Sequence, residues 1–396
     1  MRKVAILYPS SVPWMARCLD GIRRYAHENG GWSLFTSPPT LRGAEESALT
    51  IHLMRGWDGD AIIASINDES ELRAARKMRI PVVNLAGGSP KSYGVPRVLV
   101  NHFKSGRLAA DHLLSRGLRN LAFFGWNGLW YSEQRRLGFT GRAAEAGLKC
   151  EAFLRDAGAE SSLPWHKRIA EVATWLNSLT HPTGIFAVTD YRARLLIEAC
   201  HQAELRIPED IAVIGMDNDE TICEHSFPTL SSISRNSEQV GWEAAALAHS
   251  LMLGKCPPAA DVILEPDGVI ARQSTDMLYC EDSLIQQTLN YIRANLKEPF
   301  NIEQLAEHLG VSKRTLETRF RRNLQSSPHS FITNLRVQHA QALMQLPKKL
   351  TIEELASECG FGTARALYKV FPRMTGESLV AVRKRLMVDE AHRPPS

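Results

Sequence analysis

The chain has no Cys-x-x-Cys pair. Its seven cysteines are scattered through 396 residues, which excludes a disulfide scaffold and the usual zinc spacings and suits a reducing compartment. No apolar run is long enough to span a bilayer. Met1-Arg2-Lys3-Val4-Ala5-Ile6-Leu7 enters a strand directly and lacks the apolar core of a secretory signal, so a cytoplasmic location is expected. Gly-x-x-x-x-Gly-Lys, His-Glu-x-x-His and Gly-x-Ser-x-Gly are all missing. Those absences remove the commonest phosphate-loop, zinc-protease and serine-hydrolase readings. No cofactor, metal or catalytic residue is expected.

What is present divides into two parts. A chain of this length exceeds one typical domain. The net charge of +4 conceals an asymmetry. From Ser283 onward there are 17 Lys/Arg against 10 Asp/Glu, and before it 30 against 33. The basic excess therefore sits at the C-terminal end, where phosphates would be met.

That end repeats itself. Leu305-Ala306-Glu307-His308-Leu309-Gly310-Val311-Ser312 returns as Leu355-Ala356-Ser357-Glu358-Cys359-Gly360-Phe361-Gly362. Each copy leads into a short amphipathic run, Lys313–Phe320 and Thr363–Phe371. Helix, glycine turn and second helix make a helix-turn-helix. Gly310 and Gly360 fall at the turn, where positive φ is favoured. Between the copies, Ser327 to Leu346 has helical spacing and reads as a rod of about 28 Å. Such a rod suits two reading heads on successive major grooves about 34 Å apart. The first head is expected to present Lys313, Arg314, Thr315, Glu317, Thr318 and Arg322 to DNA, the second Thr363, Ala364, Arg365, Tyr368 and Lys369. Arginine can bridge guanine O6 and N7, glutamate can accept from cytosine N4, and Lys or Tyr can take phosphate. For Glu317 an ion pair with Arg321, one helical turn on, is an equal alternative.

Residues 284–387 resemble the DNA-binding domain of the arabinose-operon activator (AraC) family. The resemblance rests on Ile302, Leu305-Ala306, Gly310-Val311-Ser312, Thr315-Leu316, Arg319-Phe320, Arg336, Ala340 and Leu343 in the first half. Ile352, Leu355-Ala356, Cys359-Gly360-Phe361, Phe371, Gly376 and Arg383 carry it through the second. Pro372, Leu379 and Ala366-Leu367 depart from that family's pattern.

The first part alternates short apolar runs with helical patterns. Strands are expected at Val4–Tyr8, Trp32–Thr36, Ala61–Ser65, Pro81–Leu85, Leu121–Gly125, 149–154, Gly184–Thr189 and Ile211–Met216. Helices are expected at Met15–His27, Ala44–Arg55, 69–78, 102–116, 165–177 and 191–203. Such βαβ alternation predicts parallel sheets with helices on both faces, here as two α/β lobes around a cleft. Ligands bind beyond the carboxyl ends of such strands. That rule selects Tyr8, Ser10 and Trp14, then Trp126, Glu133 and Arg135, then Asp190 and Arg192, then Asp217 and Asn218. Carboxylates and guanidinium groups pair with hydroxyls, and indole faces cover the apolar face of a pyranose. Asp190 could equally cap the helix that follows; for Asp217 ligand contact is favoured over capping. Trp32, Trp57 and Trp242 read as packing.

Residues 4–275 resemble the effector domain of the lactose-repressor (LacI) and ribose-binding-protein superfamily. The marks are Ala187-Val188-Thr189-Asp190, Pro208 to Asn218 and Pro228 to Ile233. The resemblance implies that Arg135, in Arg-x-x-Gly-Phe, and Asp217, in Gly-x-Asp, contact a sugar. In this order the two resemblances are similar to the xylose-operon activator group, which implies a pentose effector, D-xylose first among the candidates. The expected architecture is therefore an α/β two-lobed periplasmic-binding-protein-like domain (1–275), a linker (276–283) inside a polar stretch from Arg272 to Asp282, and an all-α double helix-turn-helix domain (284–388). The expected function is a sugar-responsive transcription activator acting as a homodimer on promoter DNA with RNA polymerase. The alternatives are a repressor answering another monosaccharide, or a DNA-tethered carbohydrate-active enzyme with Glu133 and Asp190 as an acid–base pair.

Overall fold

The computed structural model describes residues 1–8, 12–36, 50–85, 87–156, 158, 163–277, 280, 282–344, 350–375 and 377–383. The chain divides into two compact units, Met1–Met277 and Leu278–Ser396.

The first unit holds two parallel sheets. Lobe 1 is built on β1 (Arg2–Leu7), β2 (Trp32–Thr36), β3 (Ala61–Ala64) and β4 (Val82–Asn84), in the order β2-β1-β3-β4. Val4 to Leu7 of β1 and all of β3 are apolar and buried, as expected where helices cover both faces of a sheet. α1 (Pro13–Glu28) and α2 (Glu69–Arg76) are the helices between them. The helix expected at Ala44–Arg55 is not found as drawn. Its residues 44–49 lie outside the described residues, and Ile51–Met54 form a short 3-10 turn.

Lobe 2 comprises β6 (Asn120–Asn127), β7 (Cys150–Asp156), β8 (Thr183–Ala187), β9 (Ile211–Met216), β10 (Ser231–Ser234) and β12 (Gly268–Ile270). Their order is β12-β10-β9-β8-β6-β7, with β12 alone antiparallel. α3 (His102–Ser115), α4 (Trp130–Glu145), α5 (Trp165–Ser178), α6 (Asp190–Gln202) and the one-turn α7 (Glu220–Cys223) accompany it.

The backbone passes between lobes three times. A short parallel pair, β5 (Val98–Val100) with β11 (Val262–Leu264), belongs to lobe 1 and flanks two of the passages. The third runs from β10 into α8 (Ser237–Met252), which returns to pack on α1. Glycine makes both helix pairs close. A Cβ on Gly241 would stand 1.9 Å from the Cys18 carbonyl oxygen, and one on Gly106 in α3 would stand 2.0 Å from the Arg135 carbonyl oxygen in α4. Arg272 to Thr275, read from sequence within the polar connecting stretch, is instead anchored in lobe 2. The Ser274 hydroxyl is buried and donates to the Val213 carbonyl at 2.6 Å. Those side chains are polar because they satisfy buried backbone, and not because they face water.

The second unit has two small cores bridged by one helix. α9 (Ser283–Ala294), α10 (Ile302–His308) and α11 (Lys313–Leu324) surround Leu305, Ala306, Leu316 and Phe320. α13 (Ile352–Glu358) and α14 (Ala364–Thr375) surround Leu355, Ala356, Leu367 and Phe371. α12 (Pro328–Met344) supplies Ile332 to the first core and Val337 and Ala340 to the second. Its 17 described residues span about 26 Å; Leu346 and Pro347 lie outside the described residues. Both copies start with a capping box, Asn301 with Gln304 and Thr351 with Glu354, which satisfies the orphan donors of a helix too short to hold itself. Pro372 lies within α14 near its end, and Leu379 is buried in the second core.

Candidate functional site

Strand ends and crossings bring a charged cluster together in the first unit. β9 ends at Asp217, whose φ of 112° is followed by 48° at Asn218. Side-chain-bearing residues rarely adopt such angles, and they persist where surrounding bonds hold them. Here the Asp217 amide donates to the Ile233 carbonyl at 3.0 Å, and the Asn218 amide to the Ser232 hydroxyl at 3.0 Å. The turn aims the Asp217 carboxylate at two arginines. Arg235 Nη1 lies 3.2 Å from Oδ1, and Arg135 Nη2 lies 3.7 Å from the same oxygen. Arg17, on α1, donates to the Asp217 carbonyl at 2.5 Å, so lobe 1 touches lobe 2 at this residue.

Arg135 is wholly buried near the start of α4. It donates to the Val188 carbonyl, lies 3.4 Å from His102 Nδ1 and sits over the Tyr131 ring at 5.1 Å. Burial lowers its pKa to about 10, which leaves it charged at neutral pH. Burial, then the charges of Arg135 and Arg235, holds His102 well below the usual histidine range, so its ring is neutral. The amides of Trp130 and Tyr131 donate to the carbonyls of Gly88 and Gly87, a second meeting of the lobes.

The other residues selected from sequence fall into distinct settings. Arg192 is buried between the Phe124 and Trp126 rings, at 3.9 and 4.0 Å, and Trp14 carries Arg235 at 3.8 Å. Two indole faces are thus covered by guanidinium groups. Asn218 Oδ1 accepts from Arg272 at 3.0 Å. Tyr8 packs into the lobe 1 core beside Leu19 and Ile22, and burial pushes its hydroxyl pKa up. Glu133 is engaged by Arg136 at 2.7 and 2.8 Å on its own helix. Ser10 lies outside the described residues. Trp32 and Trp242 meet Tyr25 edge-on, and Trp57 packs on the outer core of lobe 1.

Asp190 is neither a cap nor an open carboxylate. Thr189 caps α6 and Asp219 caps α7. The Asp190 oxygens accept from the Ser232 hydroxyl at 2.6 Å and the Asp219 amide at 2.8 Å, tying the ends of β8, β9 and β10 together. Burial, then the charge of Asp217, raises its pKa from the usual carboxylate value to about 7. A carboxyl raised on folding favours the folded state while protonated. That contribution is complete below about pH 4 and lost as pH rises through about 7. The melting temperature should therefore fall between pH 5 and pH 8, and Asp190→Asn, which can keep both hydrogen bonds, should flatten the slope. Parallel pH profiles for wild type and variant would contradict this assignment.

Arg235, Arg17, His102 and Tyr131 were not selected from sequence. Arg235 follows β10, so the strand-end rule applied to Ser231–Ser234 would have found it. Arg17 and His102 carry no local signal.

In the second unit both reading helices turn polar faces outward. Lys313, Arg314, Thr315, Thr318 and Arg322 are exposed, as are Thr363, Arg365, Tyr368 and Lys369; Glu317 and Ala364 are half-buried. Lys313 pairs with Glu303 of α10. Among the described residues Glu317 forms no ion pair with Arg321. The Ser312 hydroxyl accepts from the Thr315 amide at 3.1 Å and fixes the start of α11. Arg319 grips Asp282 through two hydrogen bonds, so it holds α9 to α11.

A periplasmic binding protein-like domain matches residues 110–275, and a helix-turn-helix domain matches residues 305–385. The chain is a transcription regulator with a periplasmic-binding-protein-like α/β unit followed by a helical helix-turn-helix unit. Over 379 residues it is 26% identical to the xylose operon regulatory protein of Escherichia coli (strain K12), covering 94% of each chain. It is 27% identical over 381 residues to the protein of the same name from Haemophilus influenzae, covering 94% of this chain and 95% of that one. Its fold matches the solved structure of the xylose-binding transcription activator xylR with a TM-score of 0.65 at 24% identity, over 97% of this chain and 98% of that chain.

Proposed function

We propose that the chain is a cytoplasmic, homodimeric regulator that binds a pentose, with D-xylose the first candidate, and activates genes for its use by contacting RNA polymerase at the promoter. The observation that carries the reading is the bridge at Asp217, where Arg17 of lobe 1 holds the backbone carbonyl while Arg235 and Arg135 face the carboxylate. A sugar bound there touches both lobes, so its affinity depends on how they close, and this dependence lets it shift a conformational equilibrium. The full-length similarity to xylose operon regulatory proteins favours the pentose and a gene-activating role. The setting of Glu133 and Asp190 favours binding over glycoside chemistry, because each carboxyl is already engaged, Glu133 by Arg136 and Asp190 by Ser232 and the Asp219 amide.

The test combines ligand and DNA. D-xylose should raise the melting temperature of the full chain, since a ligand of the folded form must stabilise it. Pentoses and hexoses that all leave it unchanged would contradict the reading. Arg314→Ala and Arg365→Ala should each weaken binding to the chain's own promoter by about tenfold or more, the range for loss of one good base contact. Unchanged affinity in both variants, measured by fluorescence anisotropy, would remove α11 and α14 from the DNA interface.

A further inference from the structure

Arg272 stands shortly before Met277, where the first unit ends, yet its side chain reaches back to the cluster around Asp217. That side chain is 12% exposed, and each of its nitrogens is engaged. Nη2 donates to Asn218 Oδ1 at 3.0 Å, Nη1 to the Leu230 carbonyl at 3.0 Å and Nε to Glu224 at 2.6 Å. A planar fork that grips separate segments fixes them relative to one another.

Asn218 is the partner that leads to the site. It follows Asp217 in the turn whose φ angles are 112° and 48°, and such a turn keeps its shape only while surrounding bonds hold it. From within the cluster, β10 holds the Asp217 and Asn218 amides, and Asp190 holds the Asp219 amide. Arg272 holds the Asn218 side chain from the segment that leads out of the unit.

That segment is itself fastened at every residue from Arg272 to Thr275. Successive residues of a strand point to opposite faces, and β10 uses both. Ser232 serves the cluster, donating to Asp190 at 2.6 Å. Ser231 serves the exit: its hydroxyl accepts from the Arg272 amide at 2.7 Å and lies 2.6 Å from Thr275 Oγ1. Thr275 Oγ1 lies 2.7 Å from His112 Nε2 on α3. Gln273 Oε1 accepts from the Thr229 amide at 3.1 Å, and the Ser274 amide donates to the Thr229 carbonyl at 2.9 Å. A stretch bound this closely passes a displacement on instead of absorbing it.

We infer that Arg272 is a positioning residue of the effector site: it sets the Asp217 carboxylate through Asn218 and ties that setting to the segment by which the chain leaves the first unit. The inference rests on reading the Asp217 cluster as the effector site. A sugar that shifts the turn moves Arg272 with it, and unseating Arg272 lets the turn relax.

The test measures D-xylose affinity by calorimetry and promoter affinity by anisotropy, both on the full chain at constant salt. Arg272→Gln cannot span the three partners. It should weaken D-xylose binding about tenfold, the scale of one hydrogen bond to a charged group. At saturating sugar it should also bring the effect of D-xylose on promoter affinity to within about twofold of none. Glu224→Gln removes only an exposed partner of Arg272 and should change neither quantity by more than about twofold. Arg272→Gln combined with Asn218→Ala should bind sugar no more weakly than the weaker single variant, because one residue acts through the other. If Arg272→Gln does not fold, Asn218→Ala against Asn218→Asp takes its place. The aspartate keeps an acceptor for Arg272 and should keep the sugar's effect on the promoter, which the alanine should lose; equal effects in the two would overturn the inference. Losses that multiply in the double variant would overturn the positioning role, and a full sugar effect on the promoter in Arg272→Gln would overturn the tie to the exit segment. No D-xylose binding by the wild-type chain would overturn the effector-site reading, and the inference with it.

Discussion

Asp217→Ala is expected to abolish the sugar-induced rise in melting temperature and to destabilise the first unit by about 3 kcal/mol. The second figure follows from removing one member of a buried ionic group, which leaves the others uncompensated. Arg235 loses its acceptor at 3.2 Å, and Arg135 loses the charge at 3.7 Å that offsets its burial. The side chain at residue 217 is 12% exposed, so water repairs little of this. The ligand effect is larger, because the carboxylate both receives hydroxyls and sets the two arginines; about a hundredfold loss of sugar affinity is expected. Asp217→Asn keeps the shape and one acceptor but not the charge, so it should recover only part of the stability while still losing most of the affinity. Thermal shifts with and without sugar measure both effects. An alanine variant that keeps its full response would place the effector elsewhere.

The two repeat glycines should differ sharply. Gly310 and Gly360 both lie at positive φ, 66° and 71°, and both were expected at helix turns. A Cβ on Gly310 meets nothing within 4 Å, so Gly310→Ala should cost only the backbone strain, about 1 kcal/mol. A Cβ on Gly360 would stand 2.3 Å from the Leu296 carbonyl oxygen and 2.8 Å from Arg336 Nε. Arg336 donates to the Leu296 and Glu298 carbonyls at 3.1 and 2.7 Å, which joins α12 to the end of α9. Gly360→Ala must displace that latch, so strain adds to the loss of one part-buried and one exposed hydrogen bond, roughly 2–3 kcal/mol in all. DNA binding should fall with it, because α12 serves both cores. Denaturant melts of the two variants decide the matter; equal midpoints would contradict the proposed role of the Arg336 latch.

The second unit was the more legible half because its information is local and stated twice. Periodicity placed Leu316, Phe320, Leu367 and Phe371 in the cores, and polarity between them marked the outward faces. The crossings of the first unit were harder. β5, β11 and β12 are three-residue strands whose pairing depends on distant residues, β5 with β11 and β12 with β10, so no short window reveals them. The strand-end rule found Arg135, Arg192 and Asp217 but could not say what each touches. Asp190 shows the limit. An aspartate after a strand reads as a cap or a ligand, and only the fold reveals that Ser232 and Asp219 claim it. Tyr8 shows another, since alternation along β1 does not say that its ring continues the apolar core past the strand's end.

The most direct test of sugar control over DNA binding is a titration of the chain's own promoter fragment, followed by anisotropy, without sugar and with D-xylose. The sugar should tighten specific binding at constant salt, and Asp217→Ala should erase the difference. Identical curves with and without D-xylose, once the sugar is proven to bind the protein, would contradict it.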